Sequence, residues 1–286
     1  MKNKLDITVV ILTLNEEANI QFALENVKGF CRDVVILDSF STDATVAIAE
    51  AYGARVFQRK FDDFSSQRKH ALEQLPITSE WVLVLDADEY LSDELKEEIS
   101  RVLPSSSCDA YVMKRRFYWK GKWIKRGYYP TKLMRLGRYG LITCDDRPIN
   151  EHLICKSDKV SELKNDFIDF NRKGLADWLS KHNSYSDREA MQLYVNESPT
   201  QELSLFKSQY ERKRWLRYKV WNRLPPIIRP FTLFIYRYIL LGGIFDGRAA
   251  LQYHYLHAFF YRYLIELKLQ ELVKNKSKNK SDNIMK

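Results

Sequence analysis

The sequence has 286 residues, and its hydrophobic content of 45% is ordinary for a globular chain with a sizeable core. Its four scattered cysteines form no Cys-x-x-Cys pair, which argues against a zinc site and a disulfide framework. The net charge of +9 is uneven, because residues 207–286 hold 17 Lys/Arg and 5 Asp/Glu (net +12), whereas the first 206 residues hold 29 and 32 (net −3). This asymmetry predicts an anionic partner for the C-terminal part, either nucleic acid or anionic lipid.

Two apolar runs open the sequence. Ile7–Leu12 and Val34–Leu37 are continuous β-branched and aliphatic segments, typical of buried parallel strands. Between them apolar residues recur at helical spacing, which predicts an amphipathic helix with Asn15 as its N-cap. The apolar face of this helix consists of Ile20, Ala23, Leu24 and Val27.

The alternation of strand and helix continues. Ser41 or Thr42 is a candidate cap for a second helix, and Arg55–Phe57 predicts a short third strand. Residues 62–75 predict a third helix, which the following proline ends. Such alternation predicts an α/β fold: a mostly parallel sheet with helices on both faces.

The most informative stretch is the apolar run Trp81–Leu85, which ends in the carboxylates Asp86, Asp88 and Glu89. We expect Asp86 and Asp88 at the carboxyl end of a central strand, where open α/β sheets bind ligands, with both side chains on the same side. Neighbouring carboxylates repel each other unless a cation lies between them, and oxygen ligands suit Mg²⁺ or Mn²⁺ shared with substrate phosphates. Ser92, a predicted N-cap, favours this interpretation over a simple acidic turn.

The second half of the chain is more mixed. Residues 110–119 and 132–136 predict strands, and residues 178–194 predict a helix. Residues 207–223 interleave basic and aromatic side chains. Residues 231–245 are apolar, but this stretch falls short of the roughly 20 residues that a transmembrane helix needs.

These patterns predict three regions: an α/β domain at 1–200, a basic aromatic helical extension at 201–272 and a disordered tail at 273–286. A strand-like run follows the first four residues directly, where a signal peptide would have its apolar segment and cleavage site. We therefore expect a cytoplasmic protein.

Several function classes are disfavoured. No Gly-x-Gly-x-x-Gly follows the first strand and there is no Walker loop, which argues against a dinucleotide Rossmann domain and a P-loop NTPase. Aspartyl phosphatases place Asp-x-Asp on an early strand and need Thr or Val where Tyr90 stands here. A non-enzymatic alternative is an RNA-binding protein, since residues 207–223 could contact phosphates and stack on bases, although RNP, KH and zinc-knuckle signatures are absent. The same composition suits a surface that lies on anionic lipid.

Four motifs together resemble the family 2 glycosyltransferases, which have the GT-A fold. They are Thr13-Leu14-Asn15-Glu16, Asp38-Ser39-Phe40-Ser41-Thr42-Asp43, Asp86-Ala87-Asp88-Glu89 and Asn150-Glu151-His152. The resemblance covers about residues 5–195. It is strongest to small bacterial enzymes that add a β-1,4-linked glucose to the lipopolysaccharide inner core.

The resemblance implies a nucleotide-sugar site with a divalent metal. Asp88 would be the direct ligand of Mg²⁺ or Mn²⁺, and Arg68 would approach the diphosphate. The residues implied for binding the nucleotide sugar are Thr13, Asn15, Glu16, Asp38, Ser39, Arg68, Asp86 and Ala87.

Inverting transfer needs a base that takes the proton of the acceptor hydroxyl. Ile149-Asn150-Glu151 is similar to a Val-His-Glu-like motif that supplies this base, with Asn in place of His, so Glu151 is the implied base. Asp145 and Asp146 are the alternatives. His182 also matches a helix of the subgroup, and both a role at the diphosphate and a purely structural role are open.

The predicted function is therefore inverting, metal-dependent transfer of a hexose, implied to be glucose, from a UDP-sugar to a lipopolysaccharide-core or other lipid-linked acceptor. The alternatives are transfer to a protein or exopolysaccharide, or a non-enzymatic RNA- or membrane-binding role. We expect a peripheral location on the inner face of the cytoplasmic membrane, an anionic membrane surface as a partner and no nucleic acid partner.

Overall fold

The computed structural model describes residues 4–145, 152–195 and 224–284. The chain divides into two compact units, Met1–Lys173 and Gly174–Lys286. The boundary that the sequence predicts, between residues 200 and 201, lies outside the described residues. The helix that follows Lys173, Leu175–Val195, belongs to the second unit.

The described part of the first unit contains eleven strands. Nine of them form one sheet in the order β3-β2-β1-β4-β8-β6-β11-β5, with β7 paired to β6, and β9 and β10 form a separate antiparallel pair. The strands are β1 (Leu5–Thr13), β2 (Cys31–Asp38), β3 (Arg55–Gln58), β4 (Trp81–Asp86), β5 (Glu89–Leu91), β6 (Ala110–Trp119), β7 (Lys122–Trp123), β8 (Thr131–Arg138), β9 (Ile142–Cys144), β10 (Leu153–Cys155) and β11 (Val160–Asp169).

The sheet is mostly parallel, as the sequence predicts. Strands β3, β2, β1 and β4 run parallel to one another, so their carboxyl ends share one edge. Strand β8 pairs antiparallel with both β4 and β6, and β6 pairs parallel with β11. The four parallel strands on the β3 side therefore present the loops that carry three of the four sequence motifs.

Four helices cover this sheet: α1 (Glu17–Val27), α2 (Thr45–Ala51), α3 (Phe64–Glu73) and α4 (Asp93–Val102). Two of them begin at side-chain caps, since Asp63 accepts a hydrogen bond from the Ser66 amide at 2.9 Å and Ser92 accepts one from the Leu95 amide at 3.2 Å. Each cap satisfies a backbone N–H that the helix itself leaves without a partner. The Ser92 cap confirms the sequence prediction.

Both faces of the central strands are buried. On β1, Val9 and Ile11 belong to one apolar cluster, whereas Val10 belongs to the cluster on the opposite face. The alternating sides of a strand account for this division, and burial on both faces accounts for the unbroken apolar runs in the sequence. Helices α1 and α4 cover the first cluster, and α3 covers the second.

Two predicted helix starts are wrong. Helix α1 begins at Glu17 after Asn15, whose φ of 54° is left-handed and whose Oδ1 accepts a hydrogen bond from the Thr42 amide at 2.8 Å. Helix α2 begins at Thr45. The Thr45 amide donates a hydrogen bond to the Asp43 carboxylate at 3.0 Å, so neither Ser41 nor Thr42 caps this helix. In both cases the polar side chains link two loops instead of capping a helix.

The described part of the second unit is helical. Helix α8 continues through residues 273–284, for which the sequence predicts disorder, and Ala190 of α5 packs with Tyr261 and Ile265 of α8. The segments are α5 (Leu175–Val195), α6 (Ile228–Phe234), a π-helical segment (Ile235–Leu240), a 3-10 turn (Gly243–Asp246), α7 (Gly247–His254), a second π-helical segment (Tyr255–Phe260) and α8 (Tyr261–Ile284).

Among the described residues, no single helix has the length and apolar composition that crossing a membrane requires. One bent pair, Ile228–Leu240 with Gly243–Lys276, meets those criteria when its two parts are taken together, with an angle of 67° between them.

Candidate active site

Three of the sequence motifs meet at the carboxyl edge of the sheet. Thr13 at the end of β1 lies opposite Asp38 at the end of β2, and Leu12 lies opposite Asp86 at the end of β4. The loops that follow these three strands are therefore neighbours. This is the edge at which open α/β sheets bind their ligands.

Asp38 organises the loop after β2. Its buried carboxylate accepts hydrogen bonds from the Thr13 hydroxyl and the Ser41 amide, each at 2.8 Å, and from the Ser41 hydroxyl at 2.5 Å. The Gln58 side-chain amide donates a fourth at 3.3 Å. With no exposed surface, Asp38 positions the surrounding loop in this structure.

The first two motifs form one hydrogen-bonded rim. The Asn15 amide donates to the Ser41 hydroxyl at 2.8 Å, and the Glu16 amide donates to the Thr45 hydroxyl at 2.7 Å. The Ser39 amide donates to the carbonyl of Thr13 at 2.9 Å. Asn15 itself is exposed, and Ser39 is half-buried. These links connect the loops after β1 and β2 into one unit.

Glu16 connects this rim to the end of the first unit. Lys173 donates to its carboxylate at 2.7 Å, and the Asn19 side chain donates to it at 2.8 Å. Burial raises the pKa of Glu16, and the nearby Asp88 carboxylate also raises it, whereas the hydrogen bonds from Asn19 and Lys173 lower it. Lys173 therefore brings a cation to the edge of the site from a distant part of the sequence.

The acidic turn, Asp86–Glu89, differs from the prediction in one respect. Strand β4 ends at Asp86, and Ala87 and Asp88 form a turn before β5. The expectation that Asp86 and Asp88 follow the two-residue period of one strand is therefore wrong. Ala87 is buried and Asp88 is half-buried.

Two buried arginines hold Asp86. Its carboxylate pairs with Arg68 at 2.7 Å and with Arg135 at 2.9 Å. Arg135 also pairs with Glu89 at 2.5 Å, and Glu89 accepts a hydrogen bond from the backbone amide of Asp86 at 3.0 Å. Arg68 is thus engaged by Asp86 in this structure, at the place where the resemblance predicts contact with a diphosphate.

Asp88 has a different environment. Among the described residues, no hydrogen-bonding or ion-pairing partner contacts its carboxylate. Its negative charge contributes to raising the pKa of two buried carboxyl groups, Glu89 to about 7 and Asp169 to about 8, although burial is the main cause for both. Within the part of the chain that the structure describes, Asp88 is therefore the carboxylate of the turn that pairs with no cation.

The described residues include no group of three or more His, Cys, Asp or Glu side chains placed to hold a metal ion. A site of one carboxylate still fits a hard divalent cation, because Mg²⁺ and Mn²⁺ commonly take their remaining ligands from substrate phosphates and water. Asp88 meets that description. Asp86 is already neutralised by two arginines.

Glu151, Asp146 and the rest of residues 146–151 lie outside the described residues. Both flanks of this stretch are fixed, however. The Asp145 amide donates to the carbonyl of His152 at 3.0 Å, and the His152 amide donates to the Asp145 carboxylate at 3.2 Å. Ser65 of α3 donates a hydrogen bond to the Asp145 carbonyl, which anchors these flanks on the helix that carries Arg68.

His182 belongs to the second unit and lies among aromatic rings. It stacks on Trp178 at 3.6 Å between ring centroids, and its Nδ1 lies 2.8 Å from the Trp178 carbonyl. Burial lowers its pKa to about 4. This environment is typical of a neutral structural histidine.

Sequence reasoning missed Arg135 and Lys173. Arg135 interrupts an otherwise apolar strand, Leu133–Leu136, and a charge in that position is a signal of a buried ionic partner. No comparable signal marks Lys173, because its contact with Glu16 joins residues that are 157 positions apart.

Comparisons with known proteins identify the family of the chain. The sequence model described as Glycosyl transferase family 2 matches residues 8–155. An uncharacterized glycosyltransferase of Rickettsia felis is 42% identical over 106 residues, which are 37% of this chain and 37% of that protein, so the match spans little more than a third of that relative's length. The Rhizobium meliloti lipopolysaccharide core biosynthesis glycosyltransferase LpsC is 28% identical over 205 residues, which cover 66% of this chain and 72% of LpsC.

Among solved structures, S. aureus TarS 1-349 in complex with UDP-GlcNAc aligns with 93% of this chain and 91% of its own. The TM-score is 0.44 and the sequence identity 17%.

Proposed function

Because the chain belongs to glycosyl transferase family 2, we propose that it is an inverting, metal-dependent hexosyltransferase that uses a UDP-sugar donor. The family match confirms the resemblance indicated by the four motifs. Together with the mostly parallel sheet, it also confirms the predicted GT-A fold. The sugar donor, the acceptor, the metal requirement and the inverting stereochemistry of the reaction are proposals.

One observation carries the proposal: three strand ends bring a hydrogen-bonded rim and Asp88, which pairs with no cation among the described residues, to the same edge of the sheet. The rim formed after β1 and β2 offers backbone and hydroxyl groups suited to a base and a ribose. Asp88, one strand away, suits the cation of a diphosphate. A nucleotide diphosphate presents these groups in the same order.

The proposed metal would be held by Asp88 and the donor diphosphate, and it would neutralise the charge that develops on the departing UDP. The protein supplies the orientation. Arg135 and Glu89 hold the acidic turn, and Asp38 holds the neighbouring loop. These groups are in place before the donor arrives, so little ordering remains to be done on binding.

We propose Glu151 as the base that accepts the acceptor's hydroxyl proton while that oxygen attacks the anomeric carbon from the face opposite UDP. The support is positional. Its neighbour His152 is hydrogen-bonded to Asp145, and Asp145 is anchored on α3. The same helix carries Arg68, which contacts Asp86, so α3 supports both the described anchor at Asp145 and the acidic turn.

The proposed acceptor is a lipopolysaccharide core or another lipid-linked glycan, and the proposed sugar is glucose. LpsC, a lipopolysaccharide core biosynthesis glycosyltransferase, supports the acceptor class. A protein or exopolysaccharide acceptor is the competing proposal. A panel of UDP-sugars tested against lipopolysaccharide truncated in its inner core distinguishes these classes, since only the first predicts UDP release that depends on this acceptor.

The test of the base is Glu151→Gln. We expect the variant to bind UDP as the wild type does and to lose transfer by roughly 10²- to 10⁴-fold, because general-base catalysis contributes about that much. The measurement is acceptor-dependent release of UDP. The matched control is Asp158→Asn, an exposed acid beyond β10 that should leave turnover unchanged. Normal turnover in Glu151→Gln, with loss in Asp145→Asn, would assign the base to Asp145.

A further inference from the structure

The second unit exposes many large apolar side chains between residues 227 and 260. Two of them, Leu240 and Phe245, are 71% and 77% exposed. We call Leu240, Leu241, Ile244 and Phe245 the apolar tip. Two helical arms lead to the tip, Ile228–Leu240 before it and Gly247–Phe260 after it. The exposed apolar and tyrosine side chains on these arms form the outer face, which comprises Phe231, Ile235, Tyr236, Ile239, Leu251 and Tyr255.

The interior between these arms contains ionisable side chains beside small and aromatic ones such as Ala250 and Tyr253. Arg229 pairs with both carboxylate oxygens of Glu266, at 2.9 and 3.1 Å. Arg237 lies 3.2 Å from Nδ1 of His257, and His254 has no exposed surface. Ionisable side chains are thus enclosed while leucines and phenylalanines face outward.

This arrangement is the inverse of a water-exposed helix pair. In water, burial of apolar surface drives folding, and contiguous exposed apolar patches mark interaction sites. Within a bilayer, by contrast, ionisable groups face the interior of a helical bundle and pair with one another. The arms therefore have the polarity of a lipid-facing element.

We propose that the apolar tip and outer face insert into the interface of an anionic lipid bilayer. The charge of the same region supports this partner. Arg248 is exposed beside the tip, whereas Arg229 and Arg262 pair with Glu266 and Glu189 within the unit. In the sequence, residues 207–223 add seven Lys/Arg and one Glu. Basic side chains beside an apolar surface bind anionic headgroups while the apolar side chains enter the acyl region.

The insertion is shallow. The arm Ile228–Leu240 comprises a seven-residue and a six-residue helical segment, so at about 1.5 Å per residue it is roughly 20 Å long, against about 30 Å of hydrocarbon. Arg248, exposed beside the tip, would stay at the phosphate level. The exposed tyrosines on the arms suit the same depth.

The competing occupant is a second copy of the chain. Association of two copies through this surface would bring together two regions of net positive charge in the sequence, and like charges in contact are unfavourable. Lipid headgroups of opposite sign relieve that repulsion. The inference depends on this surface alone and stands apart from the proposed transfer reaction.

The test uses the full chain in a vesicle flotation assay, with phosphatidylcholine vesicles that contain phosphatidylglycerol and with phosphatidylcholine vesicles alone. We expect binding to the anionic vesicles and a roughly tenfold or greater loss of partitioning in Leu240→Asp/Phe245→Asp, because two inserted apolar side chains become charged. Both positions are exposed, so the fold should persist. The matched control is Ile154→Asp, an exposed position on β10 that should float as the wild type does.

Two further measurements separate the outcomes. Sedimentation velocity without lipid should show a monomer, and the stabilisation by UDP should be unchanged in the double variant. Equal flotation of wild type and double variant would overturn the proposal, as would failure of the wild type to float. A lipid-free dimer that the double variant converts to monomers would assign the surface to self-association instead.

Discussion

At the scale of single residues, Arg135 has the most consequential contacts in the site. It pairs with Glu89 at 2.5 Å and with Asp86 at 2.9 Å, and its side chain is almost fully buried. A buried carboxylate that loses its cation keeps the cost of leaving water without the compensating attraction. Arg135 and Glu89 are therefore positioning residues for the acidic turn.

We predict that Arg135→Met destabilises the protein by about 3–5 kcal/mol, the usual cost of removing one partner from a buried ion pair. The measurement is the free energy of unfolding in urea. Replacing both partners, in Arg135→Met/Glu89→Leu, should recover part of the loss because no unpaired charge remains between them.

The control is Arg32→Met, which removes an exposed pair with Asp6 at 2.9 Å. Exposed pairs contribute about 0–1 kcal/mol, so this variant should be close to the wild type. If Arg135→Met were as stable as Arg32→Met, the acidic turn would not depend on the buried pair.

At the scale of elements, helix α5 carries a pH-sensitive contact. Burial lowers the pKa of His182 to about 4, below its ordinary value of 6.5, so the folded state keeps the ring neutral. Above pH 6.5 both states are neutral and the contact is insensitive to pH. As the pH falls from 6.5 towards 4, the unfolded chain takes up a proton that the folded chain excludes, and stability decreases.

We predict that His182→Phe flattens this dependence, which amounts to at most about 3 kcal/mol in the wild type. The phenylalanine ring can still stack on Trp178, so the packing is retained. The measurement is urea unfolding at about pH 7 and about pH 5. His152→Gln, at an exposed position, is the control and should keep the wild-type slope. The same slope in His182→Phe would assign the acid sensitivity to other groups.

The sequence predicts most elements of the first unit correctly, because their signals are local. Apolar runs mark β1, β2 and β4, and Ser92 marks the start of α4. The predicted helix caps at Asn15 and at Ser41 or Thr42 are wrong for one reason. These residues form hydrogen bonds between the loop after β1 and the loop after β2, and those bonds depend on the two strands being neighbours in the sheet. Local sequence does not specify which polar partner a side chain finds.

In the site, too, residues with a local sequence signal are predicted and residues brought in by the fold are not. Asp86 and Asp88 are predicted from sequence because an apolar strand leads into them, whereas Arg135 comes from β8, which is inserted antiparallel between β4 and β6. Strand order is a property of the whole sheet. The short strand β5 was also missed, since its three residues gain their partners only from β11.

At the scale of the whole molecule, the chain joins two compact units of different chemistry. The first presents the acidic turn, where we propose a metal–diphosphate site, and the second presents an exposed apolar surface. A transferase that acts on a lipid-linked acceptor requires both a soluble donor site and access to a membrane. The division of charge along the sequence therefore agrees with the proposed reaction.

The central claim is that the acidic turn binds a metal–UDP complex through Asp88. The most direct measurement is a thermal-shift screen with UDP, GDP, CMP and dTDP, each with Mn²⁺ and with EDTA, on the wild type, Asp88→Ala and the exposed-acid control Asp93→Asn. Binding to the folded state alone stabilises it by about 2.7 kcal/mol at a ligand concentration a hundredfold above Kd.

We predict that UDP with Mn²⁺ raises the melting temperature of the wild type and of Asp93→Asn by several degrees, that EDTA abolishes the shift, and that Asp88→Ala shows none. A metal-dependent shift that persists in Asp88→Ala would contradict the assignment of the metal ligand. No shift with any nucleotide would contradict the account of the donor site as a whole.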